Sequence, residues 1–185
     1  DLGLSIAMKI NFPLLALAVG AFAIGTTEFS PMGFLPEIAN DLSVSIPQAG
    51  LLISAYAVGV MIGAPLMTLW LARFPKKTAL SLLMAIFTIG NVLATVAPDY
   101  MSLMGARLIT SLNHGAFFGL GSVVAASVVP KDKQASAVAM MFMGLTIANI
   151  GGVPLATWLS QNTSWRMAFA AISILGIITI LALWK

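Results

Sequence analysis

Six apolar stretches follow one another along this chain, at about residues 12–35, 48–71, 78–97, 101–128, 135–158 and 166–184, with short polar segments between them. Within each stretch the apolar residues run on without alternating. Strands of a membrane barrel would alternate, one face to lipid and one to a lumen. An unbroken apolar run of about 20 residues instead matches a helix that crosses a bilayer, where lipid offers the backbone no hydrogen-bond partner. The pattern predicts an all-α membrane protein, a six-helix bundle over residues 12–184, with residues 1–11 as an N-terminal cytoplasmic segment. Met8 in "DLGLSIAMKINF" reads as a natural start, which leaves residues 1–7 as upstream or added sequence. Residues 12–35 lack a small-residue cleavage pattern and are followed by further spans, so they read as a retained helix and not a signal peptide.

The polar segments alternate in charge. Lys9, then Arg73, Lys76 and Lys77, then Lys131 and Lys133, then Lys185 fall on one side of the six-span arrangement. The other side receives Glu37, Asp41 and Asp99, with Arg166 its one cation. Because Lys and Arg stay cytoplasmic, both termini and the turns "ARFPKK" and "PKDKQ" are expected inside.

Composition sharpens this picture. Hydrophobic residues make up 59 % of the chain and charged residues 8 %, with a mean hydropathy of +1.01. A soluble domain holds about 25 % charged residues. The formal charge of +3 is spread beside spans and not gathered in one run, which marks topology and argues against a nucleic-acid partner. With no cysteine, disulfides, thiolate metal sites and cysteine nucleophiles are excluded. The scattered methionines read as adaptable packing. No phosphate loop, paired acids or nucleophile–base signature points to an enzyme or a cofactor.

An internal repeat crosses the chain. The second stretch opens "QAGLL" and reaches "GAPLMTLWL", residues 63–71; the fifth opens "QASAV" and reaches "GVPLATWL", residues 152–159. The shared G-x-P-L-x-T falls near the far end of the second helix in each block of three. The second helix runs inward and the fifth outward, so the blocks form two inverted three-helix repeats. One half of a major facilitator transporter is built in this way.

Glu28 is the one carboxylate inside any predicted span. It lies eight residues before Pro36, and Arg107 lies eight residues after Asp99, so both sit ~12 Å below the same boundary. Either charge alone costs about 2.5–3.5 kcal/mol at mid-membrane; an acid–guanidinium pair facing an interior cavity lowers that cost. Such a pair is either a transport site or a static tie between two helices. Burial favours a protonated acid and a neighbouring guanidinium favours a carboxylate, so a change in either would switch the acid, and Glu28 is expected to carry a coupled proton. His114 follows Arg107 by about two turns, with Ser111 between them on the same helix face. With an ordinary pKa near ~6.5, its imidazole either relays protons or bonds a helix carbonyl. A lone histidine without cysteines argues against zinc. Ser111, Asn113 and Asn149 are candidates for a substrate cavity, Asn149 alternatively tying helices together. Gly115, Gly119 and Gly121 form a small-residue stripe suited to close helix packing. Gly151, Gly152 and Pro154 can either bend the fifth helix or let a neighbour approach closely.

On these residues the chain resembles the N-terminal six-helix half of a major facilitator superfamily transporter of the drug:proton antiporter branch, nearest to arabinose- or sugar-efflux-like members. The resemblance rests on "TEFSPMGFLPEIANDLSVSIPQAGLLISAYAVGVMIGAPL", "ARLITSLNHGAFFG" and "GLTIANIGGVPLATWLSQNTSWRMAF". It implies proton-coupled export of small molecules from the bacterial cytoplasm through the inner membrane by alternating access. Arg107 then resembles the family's proton-coupling arginine. Gly144, Gly151, Gly152 and Pro154 resemble its antiporter motif. Arg73, Lys76 and Lys77 take the basic positions of the motif between the second and third helices. Ala72, Pro75 and Thr68 stand where that motif has an acid and two glycines. The family has twelve helices around a central cavity, so the resemblance implies a missing C-terminal half or a second copy of the chain as partner, alongside substrate, protons and lipid.

Overall fold

Helix starts are written locally in the sequence. In the computed structural model, which describes residues 11–185, the Asn11 side chain accepts a bond from the Leu14 N–H and opens α1, Phe12–Gly33. Ser45 and Gln48 form a reciprocal capping box at the head of α3, Ile46–Leu71, behind the short α2, Leu35–Asp41. α4, Lys76–Thr95, follows the basic turn. Asp99 caps α5, Tyr100–Ser111, and α6 continues from His114 to Ser127. A 3₁₀ turn, Lys131–Lys133, leads into α7, Gln134–Ile147. A π turn over Ala148–Gly152 joins it to α8, Val153–Asn162. Ser164 caps the last helix, α9, Trp165–Leu183. Among the described residues, six helical segments are long and apolar enough to cross a membrane: α1, α3, α4, α5 with α6, α7 with α8, and α9. Met8 and Lys9 lie outside the described residues.

Two expected helices are interrupted. The fourth span breaks at Leu112 and Asn113, whose N–H groups reach back only three residues, to Ile109 and Thr110. Just before the break, Thr110 and Ser111 hydroxyls bond the Ala106 and Leu108 carbonyls of their own helix, a back-bonding that bends helices. In the fifth span Pro154 has no N–H to give and its ring would meet the carbonyl four residues earlier. The chain widens there, and the Val153 N–H bonds Ala148, five residues back.

α1 is the central helix, and its small residues admit neighbours. Gly20 receives the Phe117 ring, Gly25 faces Leu145 and Ala148, and Gly33 meets Thr157. α3 and the α7–α8 span are the least enclosed, leaving Met61, Leu66 and Leu69, and Met143, Ile150 and Trp158, exposed. At the end of the bundle remote from the lysines, Arg166 pairs with Asp41 and donates to the Ala97 carbonyl at 2.8 Å. Its guanidinium lies 4.1 Å over the Trp165 ring, and Trp165 donates to Asp41 at 3.0 Å. This clamp ties α2, the turn after α4 and the head of α9. The hydrogen bonds from Arg166 and then Trp165 hold the Asp41 carboxyl below the usual carboxylate range.

Candidate functional site

Arg107 is almost wholly enclosed, with 1 % of its surface exposed. One Nη donates to the Thr27 hydroxyl at 3.1 Å, and that hydroxyl donates at 2.8 Å to the Asn91 side-chain oxygen. Asn91 in turn is held by donating to the Phe87 carbonyl at 2.9 Å. The guanidinium carbon lies 4.3 Å from the centre of the Tyr56 ring and 5.8 Å from that of Phe169. The arginine's Nε and second Nη have no hydrogen-bond partner among the described residues.

Tyr56 carries the connection onward. Its face covers the cation while its hydroxyl lies 3.2 Å from His114 Nδ1. His114 Nε2 lies 3.7 Å from the Glu28 carboxylate, near enough for an ion pair but long for a hydrogen bond. The result is a series from Glu28 through His114 and Tyr56 to Arg107, Thr27 and Asn91. It starts at a carboxylate whose side chain is 28 % exposed and ends at a fully buried amide.

The expected direct contact between Glu28 and Arg107 is therefore replaced by a mediated one. One residue along an α-helix turns the side chain by about 100°, so Thr27 points into the bundle and takes the arginine while Glu28 points to the partly open face. The break in the fourth span swings His114 relative to Arg107, yet both converge on Tyr56.

Comparison with known proteins identifies the scaffold. The sequence profile described as Major Facilitator Superfamily matches residues 17–185. The chain belongs to the major facilitator superfamily. It is 71 % identical over 177 residues to the inner membrane transport protein YdhP of Escherichia coli K12, covering 96 % of this chain and 46 % of that protein. To a probable sugar efflux transporter of Pasteurella multocida it is 32 % identical over 165 residues, covering 89 % of this chain and 41 % of the relative. The chain thus spans less than half the length of the curated relatives it matches. Its fold is like that of the xylose transporter XylE from E. coli in a partially occluded inward-open conformation, with a TM-score of 0.76 at 17 % identity over 94 % of this chain and 47 % of that one. Six membrane helices in two inverted repeats, in a transporter family and not an enzyme family, are accordingly the scaffold that carries the site.

Other residues singled out in the sequence of this major facilitator chain fall elsewhere. Ser111 is buried under Gly59 of α3. Asn113 is buried too, its amide 3.9 Å from Met84 Sδ and its carbonyl oxygen without a partner among the described residues. Both are buried in the bundle, whereas the Glu28 side chain is partly exposed. Asn149 is exposed on the π turn and donates to its own helix at Leu145, 3.0 Å away. Gly144 lies against the Ala18 carbonyl and Phe22 of α1, and Gly152 against Thr26 and Phe22. Gly151 has open space before it and Pro154 is exposed. Arg73 sits over Trp70 and Phe74 at 5.6 and 5.4 Å, Lys77 sits over Trp184 at 4.8 Å, and Lys76 is exposed. Among the described residues none of the three joins an ion pair, in keeping with Ala72 in place of the family's acid.

Tyr56, Thr27 and Asn91 were the members that residue patterns did not single out. Two of them had a signal: Tyr56 is one of two tyrosines and stands inside an apolar run, and Asn91 puts a full amide in the third span. Polar groups at such depth seek one another.

Proposed function

We propose that this chain is the N-terminal half of a proton-coupled exporter of small molecules, in the bacterial inner membrane, working by alternating access. Its termini and lysine-bearing turns are cytoplasmic. The observation that carries the reading is the series Glu28–His114–Tyr56–Arg107. A carboxylate on the partly open face is linked, through two groups that can each donate or accept a proton, to a buried cation with unused N–H groups. Glu28 carries the coupled proton. His114 is its immediate partner, and Tyr56 shields Arg107 in this conformation. When the helices rearrange, the free Nε–H and Nη–H of Arg107 can take the Glu28 carboxylate, which releases the proton. Exchange of the carboxylate between imidazole and guanidinium thus couples protonation to helix position. The name of the Pasteurella relative, "Probable sugar efflux transporter", supports export and a small polar substrate. A second six-helix block, from the rest of a longer chain or from a second copy, supplies the other cavity wall. Asn149, on the exposed face of α7–α8, is positioned to meet that block. Arg73, Lys76 and Lys77 mark the cytoplasmic gate, and the glycine contacts of α7–α8 with α1 seal the bundle against leak.

The test uses the product of the full reading frame in everted vesicles loaded by a pH gradient, with labelled arabinose and labelled lipophilic drugs as probes. Glu28→Gln should abolish gradient-driven accumulation of the transported probe while leaving counterflow exchange. If accumulation driven by the pH gradient survives Glu28→Gln, the coupled proton is carried elsewhere; if the wild type exchanges the probe but accumulates none under the gradient, the carrier is an uncoupled facilitator.

A further inference from the structure

The lysine-bearing end of the bundle, which marks the gate, also holds a hollow that the proposed transport cycle does not use. There the ends of α1, α4, α6 and α9 enclose a cavity of about 310 Å³. Its floor is apolar, formed by residues such as Leu17, Leu80 and Val124, and its wall carries Lys76, Lys77, Lys185 and Ser127 but, among the described residues, no carboxylate side chain. A second hollow of about 520 Å³ runs between α1 and α9, floored by Leu15, Val19, Ile178 and Leu181. The two adjoin, sharing Ala16, Ala182 and Lys185 in their walls.

The furrow faces the membrane and not the transport cavity. Val19 precedes Glu28 by nine residues, about 2.5 helical turns, which puts the two on opposite faces of α1. An occupant must therefore satisfy an apolar groove open to lipid and a ring of ammonium groups where the groove ends. Lys77 rests over the Trp184 ring at 4.8 Å, and tryptophan is the side chain most at home at the level of lipid headgroups.

We propose that this composite cavity is a binding site for one anionic phospholipid of the cytoplasmic leaflet. Its phosphate sits among Lys76, Lys77 and Lys185, with the Ser127 hydroxyl as a further donor, and one acyl chain lies in the α1–α9 furrow. A soluble phosphate compound would leave the furrow without a partner, and a zwitterionic lipid would bring its own cation to the lysines. The site holds α1, the helix that carries Glu28, against α9 from the membrane side. It does not depend on the proton-coupling assignment.

The experiment places the full-length transporter in phosphatidylcholine nanodiscs doped with either acyl-brominated phosphatidylglycerol or acyl-brominated phosphatidylcholine. The readout is quenching of Trp184, taken as the difference between the wild type and Trp184→Phe. Quenching by the glycerol lipid should exceed that by the choline lipid. The excess should fall about fivefold for each lysine removed in Lys76→Gln and Lys77→Gln, since one lysine near an anionic headgroup contributes about that factor. Lys76→Arg/Lys77→Arg should keep the excess, which separates loss of charge from loss of fold. Equal quenching by the two lipids, or an excess that survives Lys76→Gln/Lys77→Gln, overturns the site. An excess abolished by soluble glycerol phosphate overturns the lipid assignment in favour of a free phosphate ligand.

Discussion

Tyr56 offers the sharpest dissection, because its two halves do different things. Its ring lies 4.3 Å from a guanidinium that is almost fully enclosed, and its hydroxyl lies 3.2 Å from the His114 ring. Tyr56→Phe removes the hydroxyl contact alone. A neutral hydrogen bond contributes about 1 kcal/mol net, so the variant should be destabilised by about that amount. Tyr56→Leu also strips the aromatic face from the cation, and a desolvated cation–π contact is worth about 2 kcal/mol. With the smaller side chain's cavity added, the loss should reach about 3 to 4 kcal/mol.

The measurement is thermal or denaturant unfolding of the full-length protein in detergent, paired with the pH profile of transport. Tyr56→Phe should keep most of the stability but shift the pH profile, since the imidazole loses the partner opposite Glu28. Tyr56→Leu should lose stability and coupling together. Equal destabilisation by the two variants would refute the claim that the ring face is what holds the buried arginine. A Tyr56→Phe pH profile superimposable on that of the wild type would refute the claim that the phenol takes part in the proton series.

Three further outcomes follow from other contacts. Thr27→Val leaves the Arg107 Nη without its acceptor and should destabilise by about 3 kcal/mol, as expected when a buried charged donor loses its partner, whereas Thr27→Ser should stay near wild type in the same unfolding assay. Gly144→Ala would push a methyl group into the Ala18 carbonyl and the Phe22 backbone of α1; as neither can yield as a side chain would, the cost should approach about 3 kcal/mol, read as a lower melting temperature. The native Asp41 carboxyl holds its proton less tightly than the ordinary value of 3.8, so its clamp is at full strength above that pH and is lost as pH falls through the lower native value. Asp41→Asn should accordingly flatten the acid limb of the stability profile while leaving transport at neutral pH in place.

The spans were legible because apolar run length is a direct consequence of bilayer thickness, and 12–35 or 166–184 can be read without knowing any neighbour. Glu28, Arg107 and His114 were legible for the opposite reason: charge in such a run is conspicuous. What the chain alone could not reveal was orientation around the helix axes. Thr27 and Glu28 are adjacent, and nothing local decides which of them meets the arginine; the packing of α1 among the other five spans does. Ser111 and Asn113 share the same sequence neighbourhood as Arg107 and His114, but the break at Leu112 turns them inward. Its cause is a pair of hydroxyl back-bonds and the pressure of Gly59 and Gly63 of α3 against Ser111 and Leu112, a tertiary contact invisible to periodicity.

The repeat explains why the site forms where it does. Gly63 of the first G-x-P-L packs α3 onto Leu112 in the fourth span, and Gly152 of the second packs the fifth span onto Thr26 of α1. Each block thus lays the glycine of its second helix on the first helix of the other block. The two blocks interlock instead of standing side by side, and glycine is what lets the backbones come near enough. Glu28 and Tyr56 belong to the first block, Arg107 and His114 to the second. The polar series therefore crosses the seam between the blocks, flanked by Gly152 beside Thr26 and by Gly59 and Gly63 beside the break. A rocking of one block against the other would act directly on the distances between carboxylate, imidazole, phenol and guanidinium. Widening either glycine contact should therefore disturb proton coupling even though neither glycine touches a proton-carrying group.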